Sequence, residues 1–213
     1  MSPEKSFQNP SRLEAFSDGV FSIAITLLVL SIIEIPRPHS DEPILLKTLA
    51  HHWTSFLSYL IGFLTILVCW INHHFICVYI KRSDSFMYIL NGLLLLVVTL
   101  VPFSTVVLAD YAQEADQQTA IALYGATFVV MAISYFSMWT YAHRKKLLDE
   151  NIDEGKRKAI HRMYSMGIVY TLLTLAITFM NFYVSLIFYV LLFALFFIPE
   201  IFSEKIRSIK LST

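Results

Sequence analysis

The chain has 213 residues, of which 56% are hydrophobic and 15% are charged, and its formal net charge at pH 7 is zero. Soluble domains are about 45–50% apolar and about 25% charged, so this composition, with a mean hydropathy of +0.62, excludes an ordinary soluble domain. A neutral chain also offers no general electrostatic basis for binding nucleic acid. We therefore predict an integral membrane protein that has no nucleic-acid partner.

Six hydrophobic blocks follow one another, each close to the roughly 20 residues that a helix needs to cross a bilayer. They predict an all-α membrane protein with a single six-helix domain over residues 1–213. Its spans lie at about residues 16–35, 53–79, 86–109, 119–141, 163–181 and 184–202. Pro36 and Pro38 end the first span, whereas Pro102 lies inside the third and predicts a kink there. A tight hairpin near residues 181–185 joins the last two spans.

Basic residues are distributed very unevenly between the two sides that these six spans define. Only Arg37 and Lys47 lie in the odd-numbered loops, and the other 14 of the 16 Lys and Arg residues lie at the termini or in the even-numbered loops. Because cytoplasmic loops carry the excess of basic residues, both termini are predicted to be cytoplasmic. The loop between the fourth and fifth spans is rich in Lys and Arg, and the orientation of the protein in the membrane is enough to explain this. The more specific alternative is that the loop binds anionic lipid.

The stretch 12–35, RLEAFSDGVFSIAITLLVLSIIEI, begins as an amphipathic sequence with a charge inside it, Asp18, and then becomes an apolar run. A charge just inside a spanning helix is costly, so Asp18 indicates a functional or bracing role. At about 100° per residue, one stripe of this helix holds Phe16, Gly19, Ile23, Thr26, Leu27, Leu30 and Glu34. Such a stripe can face lipid, a neighbouring helix or a pore, and the residues alone leave all three open.

Asp18 needs polar neighbours, and the predicted topology supplies candidates. The second span returns toward the side where Asp18 lies, and the third starts there. Polar residues at that depth are Trp70, Asn72, His73, His74 and Asn91, and Arg12 can reach the group from the membrane surface. One interpretation is a polar lock between helices; a proton-responsive gate is another, since histidine titrates near neutral pH. A metal site at His73 and His74 is disfavoured because adjacent helical residues diverge by about 100°.

The stretch RLEAFSDGVFSIAITLLVL closely resembles the signature of the transmembrane protein 175 family, the endolysosomal potassium channels and their prokaryotic relatives. The signature is an arginine, three residues and then Phe-Ser-Asp, which runs on into an Ala-Ile-Thr-Leu-Leu helix. Its matching residues here are Arg12, Phe16, Ser17, Asp18, Ala24, Ile25, Thr26, Leu27 and Leu28. The length and the six spans also resemble one repeat of the family, and single-repeat members are prokaryotic homotetramers.

The resemblance implies a homotetramer in which four copies of the first helix line a central pore. The narrowest part of the pore is then a ring of four Ile23 side chains, one from each copy, with further rings at Leu27 and Leu30. The resemblance also implies that the ring of Thr26 side chains is linked to potassium preference. The implied function is a potassium-preferring cation channel with a hydrophobic gate in a prokaryotic cell membrane. K⁺ and other monovalent cations would permeate passively, and no cofactor or resident metal is expected. A ring of aliphatic side chains blocks ions sterically and by dewetting.

The resemblance also implies a polar network behind the pore. In the family, the signature arginine and the Phe-Ser-Asp residues bind to a tryptophan and a histidine of neighbouring helices. By depth we assign these to Trp70 and to either His73 or His74, and the sequence does not decide between the two histidines.

Two other functions have weaker sequence support. A proton-coupled secondary transporter would use Asp18 and His73 or His74 as a relay, but such transporters usually show inverted repeats and interrupted helices. A membrane enzyme or assembly factor would need a second polar cluster at matching depth, and none stands out in the sequence. We therefore expect no enzymatic activity.

Overall fold

The computed structural model describes residues 10–33, 49–50, 52–112 and 114–197. These residues form an all-helical fold, as the sequence predicts. The helices are α1 Ser11–Leu27, α2 Leu30–Ile33, α3 Trp53–Tyr79, α4 Ser85–Asp110, α5 Gln117–Arg144, α6 Glu154–Thr178 and α7 Phe182–Phe196. Among the described residues, four helices are long and apolar enough to cross a membrane, namely α3, α4, α5 and α6. The count of six spans stays a prediction, because α1 and α7 are shorter.

The first span differs from the continuous helix that we expect over residues 16–35. The α-helical pattern stops at Leu27, where the amides of Leu28 and Val29 bond three residues back, to Ile25 and Thr26, each at 3.3 Å. The Thr26 hydroxyl donates to the Ile23 carbonyl at 2.8 Å. Such back-bonding competes with the helical ladder and tightens or bends it. The last expected residues, 34–35, and the stop at Pro36 and Pro38 lie outside the described residues.

The other boundaries follow local capping. α3 covers the 53–79 expected of the second span, but α6 begins at Glu154, nine residues before the apolar run of the fifth. Asp153 caps this extension by accepting the Lys156 amide proton at 3.2 Å. The turn between α6 and α7 is tight, with Asn181 capping α7 through the Val184 amide at 3.1 Å. Residues 198–202 of the expected sixth span lie outside the described residues.

The two basic loops lie together at one end of the bundle. The backbones of Ile80 and Leu148 form an isolated antiparallel bridge, and the Asp149 amide donates to the Tyr79 carbonyl at 2.8 Å. The Tyr141 hydroxyl donates to Asp84 Oδ2 at 2.7 Å, which links the start of α4 to the end of α5. Lys146 has φ 55°, a left-handed conformation that turns the chain out of α5. The α3–α4 and α5–α6 loops therefore share one side of the molecule.

The centre of the bundle is packed with aromatic side chains. Trp139, Tyr124 and Tyr189 are fully buried, and the Tyr189 ring stacks on Phe128 with centroids 5.5 Å apart. Gly125 permits this arrangement, because a Cβ there would lie 2.9 Å from Tyr189 Cζ. Contacts in this core hold helices α4, α5, α6 and α7 together. Helix α1 packs against α3 and α4.

Candidate functional site

One face of α1 is buried against α3 and α4. Its buried residues recur at intervals of three or four, which is the spacing of a single helix face. They are Leu13, Ser17, Phe21, Ala24 and, just past the helix, Leu28. This face has a serine among apolar side chains, so a polar partner is needed there.

The opposite face of α1 is exposed in the single chain. The predicted stripe lies there: Phe16, Gly19, Ile23, Thr26, Leu27 and Leu30 are all exposed, and Ile23 is 61% accessible. Glu34, at the end of the stripe, lies outside the described residues. An apolar face of this size on a membrane helix contacts lipid or another protein surface, or lines a pore between subunits.

A buried chain of polar side chains ties the back of α1 to its neighbours. His73 Nε2 lies 2.8 Å from Asn91 Oδ1, and Asn91 Nδ2 donates to Ser17 Oγ at 2.9 Å. Ser17 in turn donates to the Leu13 carbonyl at 2.8 Å. Because an amide oxygen only accepts, the first contact requires the proton on Nε2 of His73. This Ser17–Asn91–His73 chain joins α1, α4 and α3 in the interior, where each hydrogen bond satisfies a buried group.

Asp18 lies beside this chain, on the exposed side of α1. Its Oδ1 accepts the indole proton of Trp70 Nε1 at 2.8 Å. The Trp70 ring is stacked with His74, with ring centroids 6.1 Å apart and an interplanar angle of 22°. Asp18, Trp70 and His74 are all exposed, so this second cluster is open to whatever lies next to the chain.

The structure separates the two histidines that sequence reasoning left equivalent. His73 is buried and bonds Asn91, whereas His74 is exposed and stacks on Trp70. Arg12 and Phe16 are both exposed on α1. Within the described ranges, no three His, Cys, Asp or Glu side chains lie close enough to hold a metal ion.

Asn91 is the functional candidate whose role sequence reasoning missed. Its depth places it near the network, but the side chains that it would contact cannot be read from depth alone. A lone amide in an otherwise apolar span was the available signal, because such a group must find a partner. In the fold it is the central member of the Ser17–Asn91–His73 chain.

Comparison with known proteins identifies the family. A family model described as the endosomal/lysosomal potassium channel TMEM175 matches residues 12–102, which contain nearly all of α1, all of α3 and most of α4. A protein named as a potassium channel in Chamaesiphon minutus is 39% identical over 185 residues, which are 86% of this chain and 90% of the relative. The chain belongs to the TMEM175 family.

Two further comparisons extend the match over most of the TMEM175 fold. A protein named as a potassium channel in Streptomyces collinus is 37% identical over 173 residues, 80% of this chain and 82% of the relative. The crystal structure of a lysosomal potassium-selective channel TMEM175 homologue from Chamaesiphon minutus superposes with a TM-score of 0.74 at 34% identity. That match covers 92% of this chain and 97% of the homologue. The chain is thus an integral membrane protein of a channel family, which is not a class of enzymes.

Proposed function

We propose that the chain is a potassium-preferring cation channel whose pore is lined by the α1 helices of four copies. The observation that carries this proposal is the exposed aliphatic stripe of α1, with Ile23 at its middle, on a helix whose other face is buried and hydrogen-bonded. Membership in the TMEM175 family supports it, as do two relatives that are named potassium channels.

The position of the stripe explains why several copies are needed. It faces away from α3 and α4, so a path along it is enclosed only when other chains contribute the remaining walls. Closed rotational symmetry is the usual arrangement for identical subunits, and it places the same helix of each subunit around one axis. A tetramer of this kind would set four Ile23 side chains at one level.

In this proposal Ile23 forms a hydrophobic gate. Four aliphatic side chains offer no oxygen to replace the hydration shell of an ion, so a narrow ring excludes water and ions together. Conduction then requires α1 to rotate or move outward, and the ion crosses largely hydrated. The Thr26 hydroxyl donates to the Ile23 carbonyl, but its oxygen keeps acceptor capacity for a passing cation or its water.

The polar groups behind α1 have a positioning role in the proposal. The Ser17–Asn91–His73 chain fixes the rotation of α1, so that the stripe and not the buried face meets the axis. Asp18 and Trp70 lie at the edge of the exposed face, where a neighbouring copy would pack and where Arg12 of either chain could pair with the carboxylate.

The topology in the proposal has both termini in the cytoplasm of a prokaryotic cell. The proximity of the two basic loops, joined through Ile80 and Leu148, supports placing them on the same side of the membrane. Monovalent cations are the permeant species, and no cofactor takes part.

A proton-coupled transporter is the alternative, and three contacts argue against it. A direct relay would join Asp18 to His73 or His74, whereas Asp18 is bonded to Trp70, His73 is bonded to Asn91, and His74 stacks on Trp70.

The experiment is a bi-ionic measurement on the purified full chain in a planar bilayer, with K⁺ on one side and Na⁺ on the other. We expect a current that reverses toward the K⁺ equilibrium potential. Ile23→Asn makes the ring polar, so it should raise conductance and reduce the K⁺ preference. Val29→Asn is the matched control, because Val29 is also exposed but does not belong to the stripe.

Three results would count against the proposal. Equal K⁺ and Na⁺ permeability would keep the pore and remove the potassium preference. Unchanged currents in Ile23→Asn would remove Ile23 from the pore. Saturable flux coupled to protons, without channel current, would favour the transporter.

A further inference from the structure

A groove of about 190 Å³ lies between the start of α3, the end of α4 and the start of α7. Its floor is buried and includes Ser58, Leu108 and Phe182. Its rim is formed by exposed aromatic side chains, Trp53 and Tyr183. We call this the Ser58 groove. Two of its three helices, α3 and α4, are long and apolar enough to cross a bilayer, and its lining contains no residue of the α1 stripe.

The Ser58 hydroxyl is a donor without an acceptor among the described residues, although the side chain is only 4% exposed. Serines in helices usually donate to a carbonyl one turn back, as Ser134 does in this chain. The other buried hydroxyl of the groove, that of Thr105, donates to the Val101 and Pro102 carbonyls. A buried donor that is left unpaired lowers stability, so the Ser58 hydroxyl indicates an acceptor that occupies the groove.

Water fits this space poorly. At about 30 Å³ each, several waters would fill the volume, and each needs two to four polar partners. The lining is almost entirely apolar, and among the described residues that form it Ser58 has the one buried side-chain polar atom without a partner. An apolar chain that carries one hydrogen-bond acceptor matches the lining better.

The depth of Ser58 in the bilayer indicates which kind of chemical group can be its acceptor. Tryptophan and tyrosine at the rim are typical of the membrane interface. Ser58 follows Trp53 by five residues, so it lies about 7.5 Å deeper along α3, near the level where acyl chains leave their ester groups. We propose that the Ser58 groove binds one acyl chain of a membrane phospholipid, whose ester carbonyl accepts the Ser58 hydroxyl proton. The proposal needs only that the chain is inserted in a membrane, so it stands apart from the conduction proposal.

The test compares two lipids by native mass spectrometry of the full-length protein released from detergent. The probes are dioleoyl phosphatidylcholine and its ether-linked analogue, which has the same headgroup and chains but lacks the carbonyls. We expect the ester lipid to bind about fivefold more tightly, the factor typical of one hydrogen bond. Ser58→Ala should remove this preference while leaving the ether lipid unaffected. Ser165→Ala, at an exposed serine, is the control and should keep the preference.

A second variant tests the groove itself. Ala109 lines it on α4, so Ala109→Phe should fill the space and abolish binding of both lipids. Val190→Phe, at an exposed site of α7, should bind both as the parent protein does. Equal binding of the two lipids by the parent protein would overturn the proposal, as would an ester preference that survives Ser58→Ala. A change of oligomeric state in Ala109→Phe without loss of bound lipid would instead assign the groove to a second copy of the chain.

Discussion

Replacing Asn91 by leucine tests the bracing of α1 most sharply. Asn91→Leu keeps a side chain of similar size but removes both the acceptor of His73 and the donor to Ser17, which lie at 2.8 and 2.9 Å. Ser17 keeps its bond to the Leu13 carbonyl, whereas His73 loses its side-chain amide partner. Hydrogen bonds between membrane helices average about 0.6 kcal/mol and reach about 1.7, so two of them account for about 1–3 kcal/mol.

The assay is reversible unfolding of the purified protein in mixed micelles, followed by its helical circular dichroism. We expect Asn91→Leu to lower the free energy of unfolding by about 1–3 kcal/mol. Asn151→Leu, in the exposed α5–α6 loop, serves as the control and should stay within about 0.5 kcal/mol of the parent.

A double-mutant cycle isolates the contact between α1 and α4. Ser17→Ala combined with Asn91→Leu should lose less stability than the sum of the single variants, by about 0.6–1.7 kcal/mol. Strict additivity, or an Asn91→Leu protein as stable as the parent, would refute the bracing role of the Ser17–Asn91–His73 chain.

Two further predictions concern the scaffold. Gly125→Ala places a Cβ 2.9 Å from Tyr189 Cζ, so it should lower the free energy of unfolding by about 1–3 kcal/mol in the same assay. Gly92→Ala, which has open space around it, should raise the free energy of unfolding by up to about 1 kcal/mol. Equal effects of the two variants would refute close packing of α5 on α7. Asp84→Ala removes the cap on the Met87 amide and the acceptor of Tyr141, so it should cost about 1–3 kcal/mol, against about 1 kcal/mol for Tyr141→Phe. A larger loss in Tyr141→Phe would contradict this order.

The sequence was sufficient to predict the helical class, the bounds of α3 and the stripe of α1, because each depends on local periodicity. The bounds of α6 were not predictable from hydropathy. Its first turns are charged and are helical because Asp153 caps them and because Ala159 and Ile160 pack inward. The interruption after Leu27 is set by the backbone bonds of Leu28 and Val29 to Ile25 and Thr26, and the continuous apolar run gives no sign of it.

The sequence also could not predict which polar side chains of α1, α3 and α4 bond to each other. Depth placed Asp18, Trp70, His73 and Asn91 near one another, since antiparallel helices return each segment to a known level. It could not choose partners, because adjacent helical residues point about 100° apart and depth does not define the rotation of each helix about its axis. Packing of the helices turns His73 inward to Asn91 and leaves His74 on the surface.

Accessibility of α1 to a charged thiol reagent, with current as the readout, tests the central proposal most directly. The native Cys69 and Cys77 are buried, so an introduced cysteine is the site that the reagent reaches. Modification of Ile23→Cys should block the current in the reconstituted channel. Val29→Cys is the control, because Val29 is 44% exposed but lies off the stripe, and its modification should leave the current unchanged. A fully modified Ile23→Cys protein with an unaltered current would contradict a pore lined by α1.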